Sequence, residues 1–293
     1  MKPAPFSYHR LQTVAELVGL KARLGDAAVI LAGGQSLVPM LTLRLSRPEH
    51  VIDVNDIVEM DHILPEQDGL RIGALVRHQH VAESAVVATH LPLLRRMAGG
   101  VGNYAVRQRG TIGGSLVLAD PAAHMPLAAL LFDARLVLRS ARGVRTAAYR
   151  DLYRSPLNCA LDAGEVVVSV CFPRQPEAMR AVAEMFHVTA GSFPALICAV
   201  RLVADAQGGL AGLTIVVAAG AVRPPVMEGM FDDLRGVRPD AALRGEVVRR
   251  VVAHMGGLIG QDAAGRYLLS VLEGRMAMCL AGAAGDTKEG AGA

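Results

Sequence analysis

"LAGGQSLVPMLTLRLSRPEHVIDV" (31–54) places two adjacent glycines and a small polar pair between two apolar runs. The run that leads into it, "AAVILA" (27–32), has the composition of a buried strand, and "HVIDV" (50–54) predicts a second one. Gly33 and Gly34 permit positive φ and close approach of the backbone. Successive exposed N–H groups can form a concave anion site. The stretch therefore predicts a strand, a glycine loop that can hold an anion, and another strand.

A second glycine pair lies in "RGTIGGSLVLADPAAHMP" (109–126), with Thr111 before it and Ser115 after it. A glycine pair alone is most often a turn, so both a turn and an anion-binding role stay open on the glycines alone. Neither loop has the G-x-G-x-x-G or G-x-x-x-x-G-K-[ST] pattern. The chain has only three lysines, Lys2, Lys21 and Lys288, and none is near a loop. A Rossmann dinucleotide site and a P-loop NTPase are both poor fits.

Composition narrows the class of protein further. The 293 residues are 52% hydrophobic and carry a formal net charge of +3, which is typical of a globular chain. Aromatic residues make up 4%, and Trp is absent, so a nucleic-acid surface with stacking aromatics is disfavoured. We find no apolar run of the roughly 20 residues that a membrane span needs and no signal peptide, and we expect a cytoplasmic protein.

Cysteine usage argues against a metal centre in this chain. Its four cysteines, Cys159, Cys171, Cys198 and Cys279, are far apart and include no C-x-x-C pair. We therefore expect free thiols rather than a zinc site or an iron–sulfur cluster. His78 and His80 are two residues apart and would lie on one face of an extended segment. No third ligand is evident nearby, and we therefore expect no metal site.

The order of predicted elements gives three parts and a tail. Thr13 and Glu16 have capping-box spacing and predict a helix to about Leu24. "DAQGG" (205–209) predicts a hairpin turn between two late strands. We place a small α/β lobe at 1–56, a mixed lobe at 57–174, a C-terminal domain of antiparallel sheet plus helices at 175–280, and a disordered Gly/Ala-rich tail at 281–293.

Two long segments together resemble one family. "AGGQSLVPMLTLRLSRPEHVIDVNDI" (32–57) and "TIGGSLVLADPAAHMPLAALLFDA" (111–134) are similar to the flavin-binding segments of the FAD-binding medium subunit of molybdenum hydroxylases. That family includes subunits of carbon monoxide, nicotine and caffeine dehydrogenases and the flavin domain of xanthine dehydrogenase. The resemblance covers nearly the whole chain and is weakest at its end. Two long motifs in the right order are far more specific than one glycine pair.

The resemblance implies an α+β fold. It would be a two-lobed FAD-binding domain of the vanillyl-alcohol-oxidase (PCMH) type, followed by a smaller antiparallel sheet plus helices domain of the CO dehydrogenase flavoprotein C-terminal type. FAD would lie between the two lobes, with Ala32 entering the loop that cradles its pyrophosphate. The residues implied in cofactor binding are Ala32, Gly33, Gly34, Gln35, Ser36, Thr111, Ile112, Gly113, Gly114, Ser115, Asp120 and His124.

Two of these positions depart from the family's pattern. Ser115 stands where Asn or Asp is common, and it keeps a hydrogen-bond donor on a shorter side chain. His124 stands where an acidic residue is usual. A neutral imidazole can still hydrogen-bond a hydroxyl, and its protonation would make the contact pH-sensitive.

The implied function is electron transfer, with no catalytic residue in this chain because the flavin carries the chemistry. A large partner would hold molybdopterin, and a small partner would hold two [2Fe–2S] clusters that pass electrons to FAD here. The implied assembly is a dimer of heterotrimers. Two alternatives stay open: a stand-alone flavin oxidase of a small alcohol or amine, and a non-catalytic scaffold that has lost FAD. The sequence names neither the substrate nor the terminal electron acceptor.

Overall fold

A computed structural model describes residues 2–189, 193–220, 222–260 and 262–285. The chain forms two compact units. Unit 1 comprises Met1–Asp120 and Asp133–Arg174, and unit 2 comprises Pro121–Phe132 and Gln175–Ala293. With helices and mainly antiparallel sheets, the chain has the α+β fold that the resemblance implied.

Unit 1 begins with a small parallel sheet. Its elements are β1 (Ser7–Arg10), α1 (Val14–Leu24), β2 (Ala28–Leu31), α2 (Leu37–Thr42) and β3 (His50–Asp53). The strand order is β1-β3-β2, and both pairings are parallel. The predicted capping box opens α1, because Thr13 accepts from the Glu16 amide at 3.2 Å while the Glu16 side chain accepts from the Thr13 amide at 3.1 Å. Parallel pairing brings the carboxyl ends of β2 and β3, and the loops after them, to one edge of the sheet.

The rest of unit 1 is an antiparallel sheet with short helices. In chain order the elements are β4 (Ile63–Glu66), β5 (Gly69–Gly73), α3 (His78–Glu83), α4 (Ala85–His90), α5 (Pro92–Gly99), α6 (Tyr104–Arg109), α7 (Ile112–Leu118), α8 (His124–Leu131, in unit 2), β6 (Arg135–Ser140), β7 (Gly143–Ala148), α9 (Tyr149–Leu152), β8 (Tyr153–Ser155), β9 (Asn158–Cys159) and β10 (Val166–Pro173). The five-stranded sheet has the order β4-β5-β10-β6-β7, and β8 and β9 form a separate pair.

Unit 2 is one antiparallel sheet covered by helices. Its remaining elements are β11 (Met179–Phe186), β12 (Leu196–Ala204), β13 (Leu210–Ala219), β14 (Val226–Met227), α10 (Ala241–Gly256) and α11 (Ala263–Ala284). The strand order is β11-β12-β13-β14. The predicted turn at 205–209 joins β12 to β13. Asp205 Oδ1 closes it by accepting from the amides of Gln207 and Gly209 at 2.9 and 2.7 Å.

Two predicted boundaries differ in the structure. The segment Pro121–Phe132 belongs to unit 2, although the sequence placed it in the 57–174 lobe. All eight residues of α8 are buried, and seven of them are apolar, so the helix must be covered on every side. The predicted tail also begins too early, because α11 continues to Ala284 and ends at Gly285, whose φ is +89°. The remaining tail residues, 286–293, lie outside the described part of the chain.

One described helix has the dimensions of a membrane span. α11 is 22 residues long, and an 18-residue window of it has a mean hydropathy of 1.2. The helix contains no unbroken apolar run of that length, because charged side chains interrupt it. Leu272, Met276 and Cys279 on one of its faces are buried in the core of unit 2, and Arg275 donates to Glu184 of β11 at 3.1 Å.

Candidate functional site

The first glycine loop follows β2 and contains a left-handed turn. Gly34 has φ of +72°, a conformation that L side chains rarely adopt. Gly33 is close to another backbone segment, since a Cβ added there would lie 2.2 Å from the carbonyl oxygen of Arg109. Gly34 is therefore needed for its backbone conformation, whereas Gly33 is needed because a side chain would not fit beside Arg109.

The amides of this loop are available to a ligand. Within the described part of the chain, the N–H groups of 33–36 donate no hydrogen bond to another backbone group or to a side chain. The Gln35 side chain donates back to the Gly33 carbonyl at 3.1 Å and so braces the loop. Both Gln35 and Ser36 are exposed. Such a loop presents donors to an anionic group.

The second glycine loop is built differently from the first. Thr111 is buried and accepts from the Gly114 amide at 3.1 Å. The amides of Ile112 and Gly113 donate to the carbonyls of Val76 and Ala74, both at 3.0 Å. The Ser115 amide bonds to the Thr111 carbonyl at 3.1 Å, so all four amides of 112–115 are satisfied internally. Glycine is needed at 113 because a Cβ would lie 2.6 Å from that of Ala74.

This finding changes one interpretation of the sequence. The two glycine pairs have matching polar neighbours, but only the first offers unpaired amides. The second loop can meet a ligand through the exposed backbone of Gly114 and the side chain of the half-buried Ser115. The two loops adjoin, since a Cβ on Gly114 would lie 4.0 Å from that of Ala32.

An asparagine and an arginine, neither predicted as a site residue, join the two loops. Asn55 donates to the Ala32 carbonyl at 2.9 Å, and Arg77 donates to the Asn55 side-chain oxygen at 2.7 Å. Arg77 also donates to the Arg109 carbonyl. Burial lowers the pKa of Arg77 from its ordinary value. The parallel ends of β2 and β3 could have indicated Asn55, whereas nothing in the sequence singles out Arg77.

A buried carboxylate supports the same edge of the sheet. Asp53 accepts from the Asn55 amide at 2.9 Å, as expected of a turn-forming Asp, and also accepts from the Tyr8 hydroxyl. Burial acts to raise the pKa of Asp53, but hydrogen bonds from Tyr8 and Asn55 outweigh it and leave the pKa below its ordinary value. Asp53 is therefore a fixed anion at neutral pH and holds the turn in place.

A cavity of about 410 Å³ opens at this edge. Its lining comprises Leu31, Ala32, Gly33, Gly34, Gln35, Val38, Pro39, Asp53, Asn55 and Arg109. Four of the predicted cofactor-binding residues are in this set, and the exposed guanidinium of Arg109 adds positive charge. The cavity thus combines donors, a cation and apolar walls.

The last predicted residues are farther along the chain. Asp120 is half-buried at the end of the first segment of unit 1. His124 is buried at the start of α8 and belongs to unit 2, so it is not part of the site described for unit 1. Within the described ranges, no group of three His, Cys, Asp or Glu side chains could hold a metal ion.

This loop architecture defines a cofactor-binding domain for an anionic ligand. Residues 4–175 match the family described as the FAD binding domain in molybdopterin dehydrogenase, and the chain belongs to that family. It is therefore a flavin-binding subunit of an oxidoreductase of the molybdenum hydroxylase type.

Named relatives agree with this assignment. The chain is 35% identical over 236 residues, 80% of each protein, to the 6-hydroxypseudooxynicotine dehydrogenase complex subunit alpha of Paenarthrobacter nicotinovorans. It is 34% identical to the carbon monoxide dehydrogenase medium chain of Afipia carboxidovorans, over 60% of this chain and 61% of that one.

The matches to solved structures extend over more of the chain than the matches to named relatives. A chain of reconstituted CO dehydrogenase from Oligotropha carboxidovorans superposes with a TM-score of 0.89 at 27% identity, over 98% of this chain and 100% of that one. A chain of quinoline 2-oxidoreductase from Pseudomonas putida 86 gives a TM-score of 0.88 at 28% identity, over 98% and 99%.

FAD fits the residues present. Its pyrophosphate needs donors, and the loop at 33–36 has amides without another partner. Close approach of that anion needs a backbone without side chains, which Gly33 and Gly34 provide. Arg109 supplies positive charge at the cavity wall.

Proposed function

We propose that this chain is the electron-transfer subunit of a heterotrimeric molybdenum hydroxylase. It takes electrons from the [2Fe–2S] clusters of a small partner and passes them to an external acceptor, while a large molybdopterin-binding partner oxidises the substrate. Bound FAD supplies a carrier that takes up two electrons and two protons. The observation that carries the proposal is the cavity lined by the first glycine loop, because its unpaired amides need an anion.

Each part of the chain has a defined role in this proposal. The amides of 33–36 bind the pyrophosphate, and Ala32 leads the chain into the loop. Thr111, Ile112 and Gly113 hold the second loop in place, so that Gly114 and Ser115 contact the cofactor. Asp120 bonds a hydroxyl group of the cofactor. The assembly is a cytoplasmic dimer of heterotrimers.

The carboxylate of Asp53 has a structural role in this proposal. Asp53 lines the cavity, but its hydrogen bonds lower its pKa and keep it ionised at neutral pH. It therefore orients Asn55 and the loop rather than donating a proton.

The first test compares two substitutions of one glycine. Gly34→Asp and Gly34→Asn are alike in size, and both residues tolerate a left-handed backbone. Only Asp brings a negative charge to the pyrophosphate site. We expect Gly34→Asp to bind FAD at least about tenfold more weakly than Gly34→Asn, a difference of roughly 1.4 kcal/mol. Titration of the deflavinated chain with FAD measures both affinities.

Gly208 provides a matched control. Its φ is +79°, close to that of Gly34, and a Cβ there meets nothing within 4 Å. Gly208→Asp should bind FAD as the wild type does. If Gly34→Asp folds and keeps its full flavin content, the assignment of this loop to the pyrophosphate is wrong.

The spectrum of the purified chain separates the alternatives. Released FAD without iron absorption supports the electron-transfer subunit. Flavin that stays attached after acid treatment would indicate a stand-alone oxidase with a covalent cofactor. A chain that stays colourless with added FAD and with its partner subunits would indicate a scaffold that has lost the cofactor.

A further inference from the structure

The segment after the cofactor loop presents an exposed apolar surface. Met40, Leu43 and Leu45 are 36%, 59% and 73% exposed, although they lie within six residues of one another. We call these three residues the α2 patch. Single exposed leucines are ordinary, whereas a cluster on a structured segment marks an interaction site.

The backbone holds this patch in place. Arg44 has φ of +59°, which is unusual for a residue with a side chain. The turn at Arg44 is closed by the Leu45 and Ser46 amides, which bond the Met40 carbonyl at 2.9 and 3.3 Å. The leucines on either side of the turn are therefore fixed outward. A strained conformation that is held by hydrogen bonds is typical of functional surfaces.

The charged side chains within residues 37–48, which contain the patch, are both arginines. Arg44 and Arg47 are exposed, and their Nε atoms donate to the carbonyls of Lys2 and Arg44 at 3.1 and 3.2 Å. In the described part of the chain neither arginine is paired with a carboxylate. The sequence from 37 to 48 contains no Asp or Glu. The complementary surface therefore has an apolar centre and a rim of carboxylates.

The patch is continuous with the cofactor cavity. Val38 and Pro39 of α2 line that cavity, and Met40 follows them directly. A protein bound to the patch would lie at the mouth of the cavity. Of the two partners, the one that must come close to the cofactor is the one that delivers electrons to it.

We propose that the α2 patch is the docking surface for the iron–sulfur partner, which presents an apolar centre rimmed by carboxylates. This inference rests on the proposed function. Docking buries the two leucines, and the arginines orient the partner through its carboxylates. The site is distinct from the pyrophosphate loop, so docking and flavin binding can be disrupted separately.

The test uses the assembled complex. Leu43→Glu/Leu45→Glu places two carboxylates against the expected acidic rim. Leu64→Glu/Val144→Glu is the matched control, because these side chains are 48% and 62% exposed on the edge strands β4 and β7. The tagged chain is co-expressed with its partner subunits. We then measure flavin per chain, iron per chain and the rate at which substrate reduces the flavin.

We expect the patch variant to keep its flavin, to lose at least about tenfold in bound iron and to show the same loss in flavin reduction by substrate. The control should match the wild type, and Arg44→Gln/Arg47→Gln should make retention of the iron–sulfur partner weaker and less sensitive to salt. Full retention of iron in the patch variant would overturn the docking site. Loss of the molybdopterin subunit alone, with iron retained, would overturn the choice of partner. A wild-type chain that binds flavin but no iron-containing protein would overturn the electron-transfer function, and the docking site with it.

Discussion

Gly33→Ala tests the contact between the two glycine loops. The added Cβ would lie 2.2 Å from the Arg109 carbonyl oxygen and 2.8 Å from the Gly110 Cα. Non-bonded carbon atoms pack at about 3.5–4.0 Å, so the loops must separate by roughly 1 Å. The nearest atoms belong to backbone, which cannot move aside as a side-chain end can. Gly33 has no positive φ, and the expected effect is therefore steric alone.

The size of the effect follows from overpacking. Extra atoms in a filled site typically cost about 1–3 kcal/mol. For a unit of roughly 160 residues, each kcal/mol lowers the melting temperature by about 2–4 °C. We expect Gly33→Ala to melt about 2–12 °C below the wild type in the flavin-free state and to bind FAD more weakly, because the loop amides are displaced.

Gly19→Ala is the control for this measurement. Gly19 lies inside α1, and the nearest atom to an added Cβ is 3.8 Å away, at the end of the Arg23 side chain. Ala is the better helix former by about 1 kcal/mol, so this variant should melt at or above the wild-type temperature. A Gly33→Ala chain with wild-type melting temperature and FAD affinity would refute the steric reasoning.

Two further predictions concern polar contacts of unit 1. Arg77→Met keeps the apolar stem but removes the donors to Asn55 and the Arg109 carbonyl. It should lower the free energy of unfolding, measured by thermal unfolding, by about 1–3 kcal/mol and weaken FAD binding. If neither the stability nor the FAD affinity changes, the bridge between the loops is dispensable. Glu165 is buried and accepts from Arg145 at 2.6 and 2.7 Å, which lowers its pKa from the ordinary 4.5. The ion pair between Glu165 and Arg145 therefore contributes fully to the stability of the fold above about pH 4.5. This contribution is lost as the pH falls through the lowered pKa of Glu165. Glu165→Gln should therefore be less stable than the wild type by about 1–2 kcal/mol at pH 7, and a denaturant series in which this gap does not shrink as pH falls below 4.5 would contradict the assignment.

Local patterns predicted the elements well. The strand β2 lies within the apolar run 27–32, β3 lies within "HVIDV" (50–54), and the turn at 205–209 has residues with a specific backbone requirement. The residues that make up each of these patterns lie within a few positions of each other in the sequence, so the pattern can be recognised without the fold. Whether the two early strands pair in parallel is decided by distant contacts, and the pairing is what places Asn55 beside the first glycine loop.

The second glycine pair shows the limit of motif reasoning. Gly113 and Gly114 resemble Gly33 and Gly34 in composition, yet their amides donate to the Ala74 carbonyl and to the Thr111 hydroxyl, respectively. The sequence does not reveal which N–H groups will find an internal acceptor. Arg77 could not be predicted for the same reason, because its two acceptors belong to segments 22 and 32 residues away in the chain.

The placement of α8 in unit 2 has a consequence for synthesis. Leu131 ends α8, and β12, against which the helix packs, begins only at Leu196. At about 5–20 residues per second, the ribosome needs roughly 3–13 s to supply that strand. During this interval a helix with seven apolar residues of eight has been made without its native cover. The nascent chain is then open to chaperone capture, and a chimera joined at residue 174 would separate α8 from the sheet that covers it.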